Sequence, residues 1–156
     1  SCEVGLESTI VGLEDGQVTV YRLGGLDIKR IEEVVGKVQV MTHSSSNPKA
    51  PGLLKSHYSP TKPFILGDLN KLIQEHTNKG IEFAVLSFND SFQSMIGERN
   101  FVLSPEADLH EAAKNLFAAM RILDSMDVSV ILAELLPDEG LGRAINDRLK
   151  RAAVQE

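Results

Sequence analysis

Val128-Ser129-Val130-Ile131-Leu132-Ala133 is the stretch that decides the fold. Only Ser129 is polar, the run is too short for a helix, and β-branched residues dominate it. A run of this kind is a strand covered on both faces, as in a parallel sheet flanked by helices. C-terminal to it, residues 140–153 place Leu141, Ala144, Ile145, Leu149 and Ala152 on one stripe of a helix. N-terminal to it, Leu109, Ala113, Leu116, Phe117, Met120 and Leu123 recur at helical spacing. Ser104-Pro105-Glu106 supplies a cap, a first-turn proline and a first-turn acid for that helix. Further upstream, residues 100–103, 83–88 and 63–66 read as strands. Asp68 reads as the N-cap of a helix that turns Leu69, Leu72 and Ile73 inward and closes at Lys79-Gly80. Strand, helix, strand, strand, helix, strand, helix predicts a small three-layer α/β domain with a mostly parallel sheet over residues 63–156.

Residues 43–62 break the pattern. Pro48, Pro51 and Pro60, with clustered serines, leave neither a helical nor a strand period, so this segment reads as a linker. Linkers of this length join domains or carry function. Ahead of it, residues 8–11 and 17–23 read as strands joined at Glu14-Asp15-Gly16, a hairpin signal. Gly24-Gly25 stops the second strand. Asp27 caps a short helix with Ile28, Ile31, Val34 and Val35 on one side, Gly36 ends it, and residues 37–41 form another strand. Residues 1–42 bury too little to stand alone and read as the β-rich end of something larger. Their strands are expected to be mobile or to pair with another copy, giving a homo-oligomer.

The chain has 156 residues, 42% of them apolar and 24% charged, which excludes a disordered, collagen-like or coiled-coil protein. The single cysteine, Cys2, excludes an internal disulfide framework and a multi-thiolate zinc site. His43, His57, His76 and His110 lack ligand-like spacing, so no metal site is assigned. No apolar run reaches the ~18 residues of a membrane span, and the N-terminus lacks a signal peptide's pattern, so a cytoplasmic location is expected. With 16 Lys+Arg against 22 Asp+Glu there is no basic stripe for nucleic acid. Arg143, Arg148, Lys150 and Arg151 read as a solvated outer face that complements the negative end of the last helix.

Four constellations remain that bear on chemistry. Gly5-Leu6-Glu7-Ser8-Thr9 enters a strand with two hydroxyls, suited to a carboxylate or amine or to local backbone groups. Tyr21-Arg22-Leu23-Gly24-Gly25 puts an arginine beside paired glycines, which suits a phosphate ligand or an ordinary turn. His57-Tyr58-Ser59-Pro60 places a histidine and a tyrosine in a proline-flanked loop, where functional residues concentrate. Gly140-Leu141-Gly142 opens the last helix and reads as a cap rather than a full phosphate fingerprint.

Together these segments resemble the two-domain threonylcarbamoyl-AMP synthase family, which carries a YrdC-like catalytic domain, a linker and a smaller Rossmann-like C-terminal domain. Glu7-Ser8-Thr9-Ile10-Val11, Tyr21-Arg22-Leu23-Gly24-Gly25, and Ala50-Pro51-Gly52 through His57-Tyr58-Ser59-Pro60 carry the likeness. Ala144-Ile145-Asn146-Asp147-Arg148-Leu149 is similar to the family's closing segment. The linker departs from a common family form in having Leu53-Leu54 where a Met-Lys pair often stands. The resemblance implies a nucleotidyltransferase that joins L-threonine, bicarbonate and ATP into threonylcarbamoyl-AMP and pyrophosphate, for threonylcarbamoyladenosine formation in tRNA. It implies that Ser8 contacts threonine, that Arg22 and Tyr58 contact ATP with Thr9 and His57 beside them, and that Mg2+ accompanies ATP. The family's upstream Lys/Arg and Ser-x-Asn segments have no counterpart here. The expected organisation is therefore a synthase remnant at 1–42, a linker at 43–62 and the C-terminal domain at 63–156, inactive alone. The alternative from another class is a non-catalytic nucleotide-binding or regulatory module that gates a partner enzyme.

Overall fold

The computed structural model describes residues 5–41 and 60–153. Two sheets organise them. The first begins with an antiparallel hairpin of β1 (Ile10–Glu14) and β2 (Gln17–Arg22). Its two-residue turn has Asp15 at φ 49° and Gly16 at φ 79°, the left-handed pair that matches strand twist in a tight hairpin. The register shifts between Ile10 and Val11, a bulge that ends the regular ladder just where residues 7–9 leave the sheet. Helix α1 (Ile28–Val35) follows; Asp27 caps it by accepting from the Lys29 amide at 3.1 Å. Strand β3 (Gln39–Val40) then pairs in parallel with β2.

Helix α1 differs from the sequence expectation in its last turn. Ile28 and Ile31 are buried against Val20, but Val34 is 83% and Val35 48% exposed. The helix has only eight residues, and its apolar stripe extends past the small sheet beneath it.

The second sheet holds β4 (Phe64–Leu66), β5 (Phe83–Ser87), β6 (Asn100–Val102) and β7 (Val130–Ala133), all parallel, in the order β4-β7-β5-β6. Every residue of β5 and β7 is buried, which is why their sequences show no alternation. Helix α2 (Leu69–Asn78) covers one face, where Leu69 and Ile73 pack on Val85, Val130 and Leu132. Helices α4 (Leu109–Ser125) and α5 (Leu141–Ala152) cover the other, around Leu116, Ile131, Ile145 and Leu149. The result is the expected three-layer α/β arrangement. One short helix, α3 (Gln93–Ile96), and a 3₁₀ turn lie between β5 and β6, where the sequence predicted none.

The start of α4 also differs from expectation. Ser104 does not cap it; Asp108 does, accepting from the His110 amide at 2.8 Å. Ser104 Oγ instead accepts from the Asp108 amide at 2.9 Å and donates to the Glu111 carboxylate. With Ala107 at φ 57°, Ser104-Pro105-Glu106 forms a separate turn ahead of the helix.

The sheets are not independent. Leu6 belongs to the core between α4, α5 and the parallel sheet, and Leu23 packs against both that core and the small one under α1. The segments that lead into β1 and out of β2 therefore rest on the second sheet's helices.

Candidate functional site

Residues 7–9 and 22–26 lie against one another. The Gly25 amide donates to the Glu7 carbonyl at 3.2 Å. Thr9 Oγ1 donates to the Leu26 carbonyl at 2.9 Å and accepts from the Leu26 amide at 3.1 Å. A Cβ on Gly24 would sit 2.3 Å from both the Glu7 carbonyl oxygen and the Thr9 nitrogen, so only glycine permits this approach. Arg22, at the end of β2, reaches across: Nε donates to the Ser8 carbonyl at 3.1 Å and Nη2 to Ser8 Oγ at 3.3 Å. Ser8 is exposed and Arg22 half-buried.

The structure thus brings together three residues singled out in the sequence: Ser8, Thr9 and Arg22. Thr9 is fully engaged with the Leu26 backbone and acts as a staple between the two segments. Ser8 and Arg22 present a hydroxyl and a planar cation side by side at the surface, a pairing suited to a carboxylate or phosphate oxygen. Tyr58 and His57 lie outside the described residues, as does most of the segment expected to be a linker. Where the chain is described again, Asp124 holds it: its carboxylate accepts from the Thr61 amide and hydroxyl at 3.1 and 2.9 Å and from the Lys62 amide at 3.0 Å. Burial pushes the Asp124 carboxyl up, but these bonds and the Lys62 charge outweigh it and hold the group below its usual range.

A second set of residues escaped the sequence reading. Arg148 and Arg151 do not lie on a solvated face; Arg148 is 0% and Arg151 6% exposed. The Arg148 guanidinium contacts the Glu7 carboxylate at 3.1 Å, the Leu23 carbonyl at 2.8 Å and Asp147 at 2.7 Å. Arg151 holds the same Asp147 at 3.0 Å. A signal for this was present, since Arg148 falls on the stripe of Leu141, Ile145 and Ala152 at helical spacing.

Gly140-Leu141-Gly142 is a packing device. The turn needs Gly140 at φ 48°, and a Cβ on Gly142 would lie 2.0 Å from the Pro137 carbonyl oxygen. The α5 N-terminus faces Leu23, Gly24 and Asp27.

At the carboxyl ends of the parallel strands the field is acidic. Glu134 accepts from the Phe88 amide at 2.8 Å. Burial raises its pKa, and the nearby Asp90 and Asp68 charges raise it further. The Phe88 amide at that edge is thereby already engaged. Among the described residues no group of three or more His, Cys, Asp or Glu side chains converges as a metal site. No helix among them is long and apolar enough to cross a membrane.

Residues 26–154 match the family model described as the C-terminal domain of threonylcarbamoyl-AMP synthase. The threonylcarbamoyl-AMP synthase of Bacillus subtilis is 32% identical over 160 residues, which takes in 96% of this chain and 46% of that protein. The Schizosaccharomyces pombe synthase is 35% identical over 177 residues, with 98% and 43% covered. A crystal structure of Pyrococcus abyssi Sua5 complexed with L-threonine superposes with a TM-score of 0.85 at 30% identity, over 97% of this chain and 46% of that one. The chain spans less than half the length of these relatives.

Proposed function

Since the chain belongs to the threonylcarbamoyl-AMP synthase C-terminal domain family, we propose that it forms the C-terminal portion of an L-threonylcarbamoyladenylate synthase. In this reading, residues 1–42 complete a synthase domain, 43–62 link it to the second sheet, and 63–156 are the family's C-terminal domain. The threonine amine adds to bicarbonate with loss of water to give a carbamate. A carbamate oxygen attacks the ATP α-phosphorus, and pyrophosphate leaves. The product serves threonylcarbamoyladenosine formation in tRNA, in the cytoplasm. Such a step needs positioning and charge stabilisation rather than a covalent enzyme intermediate.

Ser8 binds threonine and Arg22 the nucleotide; the observation that carries this is the Ser8–Arg22 pair, held at 3.1 and 3.3 Å where two loops meet. Tyr58 and His57 are further ATP contacts in this reading, as the family resemblance implies, while Thr9 staples the loops. Mg2+ accompanies the triphosphate; with no cluster of ligands among the described residues, no residue here is assigned to it. A nucleotide-binding module at the second sheet's carboxyl ends is not favoured, because Asp68, Asp90 and Glu134 oppose a phosphate there. The exposed Val11, Leu13, Val34 and Val35 are covered in a protein of the relatives' length, and by a second copy when this chain is alone.

The test is pyrophosphate release by the protein expressed from its complete reading frame, with ATP, threonine and bicarbonate. A charge-assisted hydrogen bond is worth about 1.5–3 kcal/mol, so Arg22→Ala should lower kcat/KM roughly 10- to 150-fold. Wild-type rates in a folded Arg22→Ala protein overturn the site assignment, and turnover by the 156-residue chain alone overturns its expected inactivity.

A further inference from the structure

We propose that Arg148, on the last helix, is a positioning residue for the ligand-contacting loops, and that the C-terminal domain acts on the reaction through it. This rests on the reading of Ser8 and Arg22 just given. One guanidinium holds an atom on each side of the site. Nε and Nη2 donate to Glu7 Oε2 at 3.3 and 3.1 Å, and Nη2 donates to the Leu23 carbonyl at 2.8 Å. Glu7 immediately precedes Ser8, and Leu23 immediately follows Arg22. The separation between the two ligand-contacting side chains is therefore set from beneath by a group on α5.

The guanidinium is itself fixed. Nη1 donates to Asp147 Oδ2 at 2.7 Å, and Arg151 secures that carboxylate through Nε to Oδ2 at 3.0 Å and Nη2 to Oδ1 at 3.2 Å. Arg148 is fully buried, so it cannot swing into solvent. Leu6 and Leu23 seat the same two segments on the apolar core beside it. A planar fork with donors in fixed directions can bridge a carboxylate and a carbonyl; a lysine ammonium keeps the charge and loses that geometry. Displacing the loops weakens binding in ground and transition states alike, which raises KM and leaves kcat nearly unchanged.

The experiment compares Arg148→Lys and Glu7→Gln in the protein expressed from its complete reading frame. Ile73→Val and Ile73→Ala, on the opposite face of the parallel sheet, bracket any loss of thermal stability. Arg148→Lys and Glu7→Gln should raise KM for both threonine and ATP about fivefold or more, with kcat within about threefold, while the Ile73 variants leave KM unchanged. The proposal is overturned if folded Arg148→Lys and Glu7→Gln proteins keep wild-type KM values, or if Ile73 variants of equal stability loss raise KM as much. Should the wild-type protein release no pyrophosphate, the synthase reading fails by itself. The brace is then decided by hydrogen exchange at Gly25 and Leu26, whose amides bond to the Glu7 carbonyl and Thr9 Oγ1. Exchange about tenfold faster in Arg148→Lys and Glu7→Gln, but not in Ile73→Val, supports it; unchanged exchange overturns it.

Discussion

Gly24→Ala tests whether the two loops depend on their close approach. The added Cβ would lie 2.3 Å from the Glu7 carbonyl oxygen and Thr9 nitrogen and 2.4 Å from the Ser8 carbonyl carbon. All three are backbone atoms, so no side chain can rotate away. An ordinary contact needs about 1 Å more, and the 7–9 segment must retreat by that distance. At risk are the Gly25–Glu7 bond at 3.2 Å, the Thr9–Leu26 pair at 2.9 and 3.1 Å, and the Arg22–Ser8 bonds at 3.1 and 3.3 Å. At about 1 kcal/mol net per bond, losing three costs about 3 kcal/mol. Alanine returns about 0.4–1 kcal/mol by restricting the unfolded chain, leaving a net loss of about 2 kcal/mol. Gly67→Ala is the control, since its Cβ would meet only the flexible Leu72 side chain at 3.1 Å. Urea unfolding followed by circular dichroism reads the difference. In the protein from the complete reading frame, displacing this segment should also raise KM for threonine and ATP about fivefold or more, with kcat nearly unchanged. Equal midpoints for Gly24→Ala and Gly67→Ala, with activity retained, would refute the reasoning.

Two further outcomes follow from the second sheet. Asn146 is buried; its side-chain oxygen accepts from the Leu136 amide and its nitrogen donates to the Leu136 carbonyl, each at 2.8 Å. Asn146→Ala leaves both backbone groups unpaired and should cost about 2–4 kcal/mol in urea unfolding; a loss below about 1 kcal/mol refutes this. Burial chiefly raises the Glu134 pKa, so the folded state keeps a proton that the unfolded state has released. Wild-type stability should therefore fall as pH rises from the ordinary carboxylate range through the raised value, and Glu134→Gln, which cannot titrate, should gain on the wild type across that window. Thermal midpoints measured from pH 4 to 8 decide it, and a constant gap contradicts the direction.

Local chemistry explains what was legible in the sequence. Asp15-Gly16 fixed the hairpin because both residues tolerate positive φ, and the apolar runs of β5 and β7 announced strands buried on both faces. The cap at Asp68 was readable for the same reason, as its partner is the Lys71 amide three residues on. Misreadings arose where several local solutions compete. Ser104-Pro105-Glu106 has a helix-start composition, yet Ser104 bonds the Asp108 amide and closes a turn of its own. Val34 and Val35 keep a helical period, but nothing local says how far the sheet beneath them extends. Of the candidate site, Arg22 was legible because paired glycines beside an arginine mark close backbone approach, and Ser8 and Thr9 because two adjacent hydroxyls enter a strand. The Arg148–Glu7 pair was not, because its partners are 141 positions apart: the helical stripe marks Arg148 as inward-facing but does not say which carboxylate meets it.

Stability alone does not account for an arginine at position 148. Replacing a whole buried ion pair by well-packed apolar side chains is often neutral or stabilising by about 1–4 kcal/mol, so an apolar pair at positions 148 and 7 would serve stability as well. An apolar side chain could fill the space between the helix and the loops, but it would not fix the Glu7 carboxylate and the Leu23 carbonyl to one point. The difference lies in geometric definition, and it lands one residue from Ser8 on one segment and one residue from Arg22 on the other. Because the partners come from opposite ends of the described chain, the loops reach their final spacing only once α5 has packed on α4 and the sheet. On the proposed reading, a ligand site whose spacing depends on that docking would couple the closing helix to binding through a rigid contact, with no need for α5 to touch either substrate.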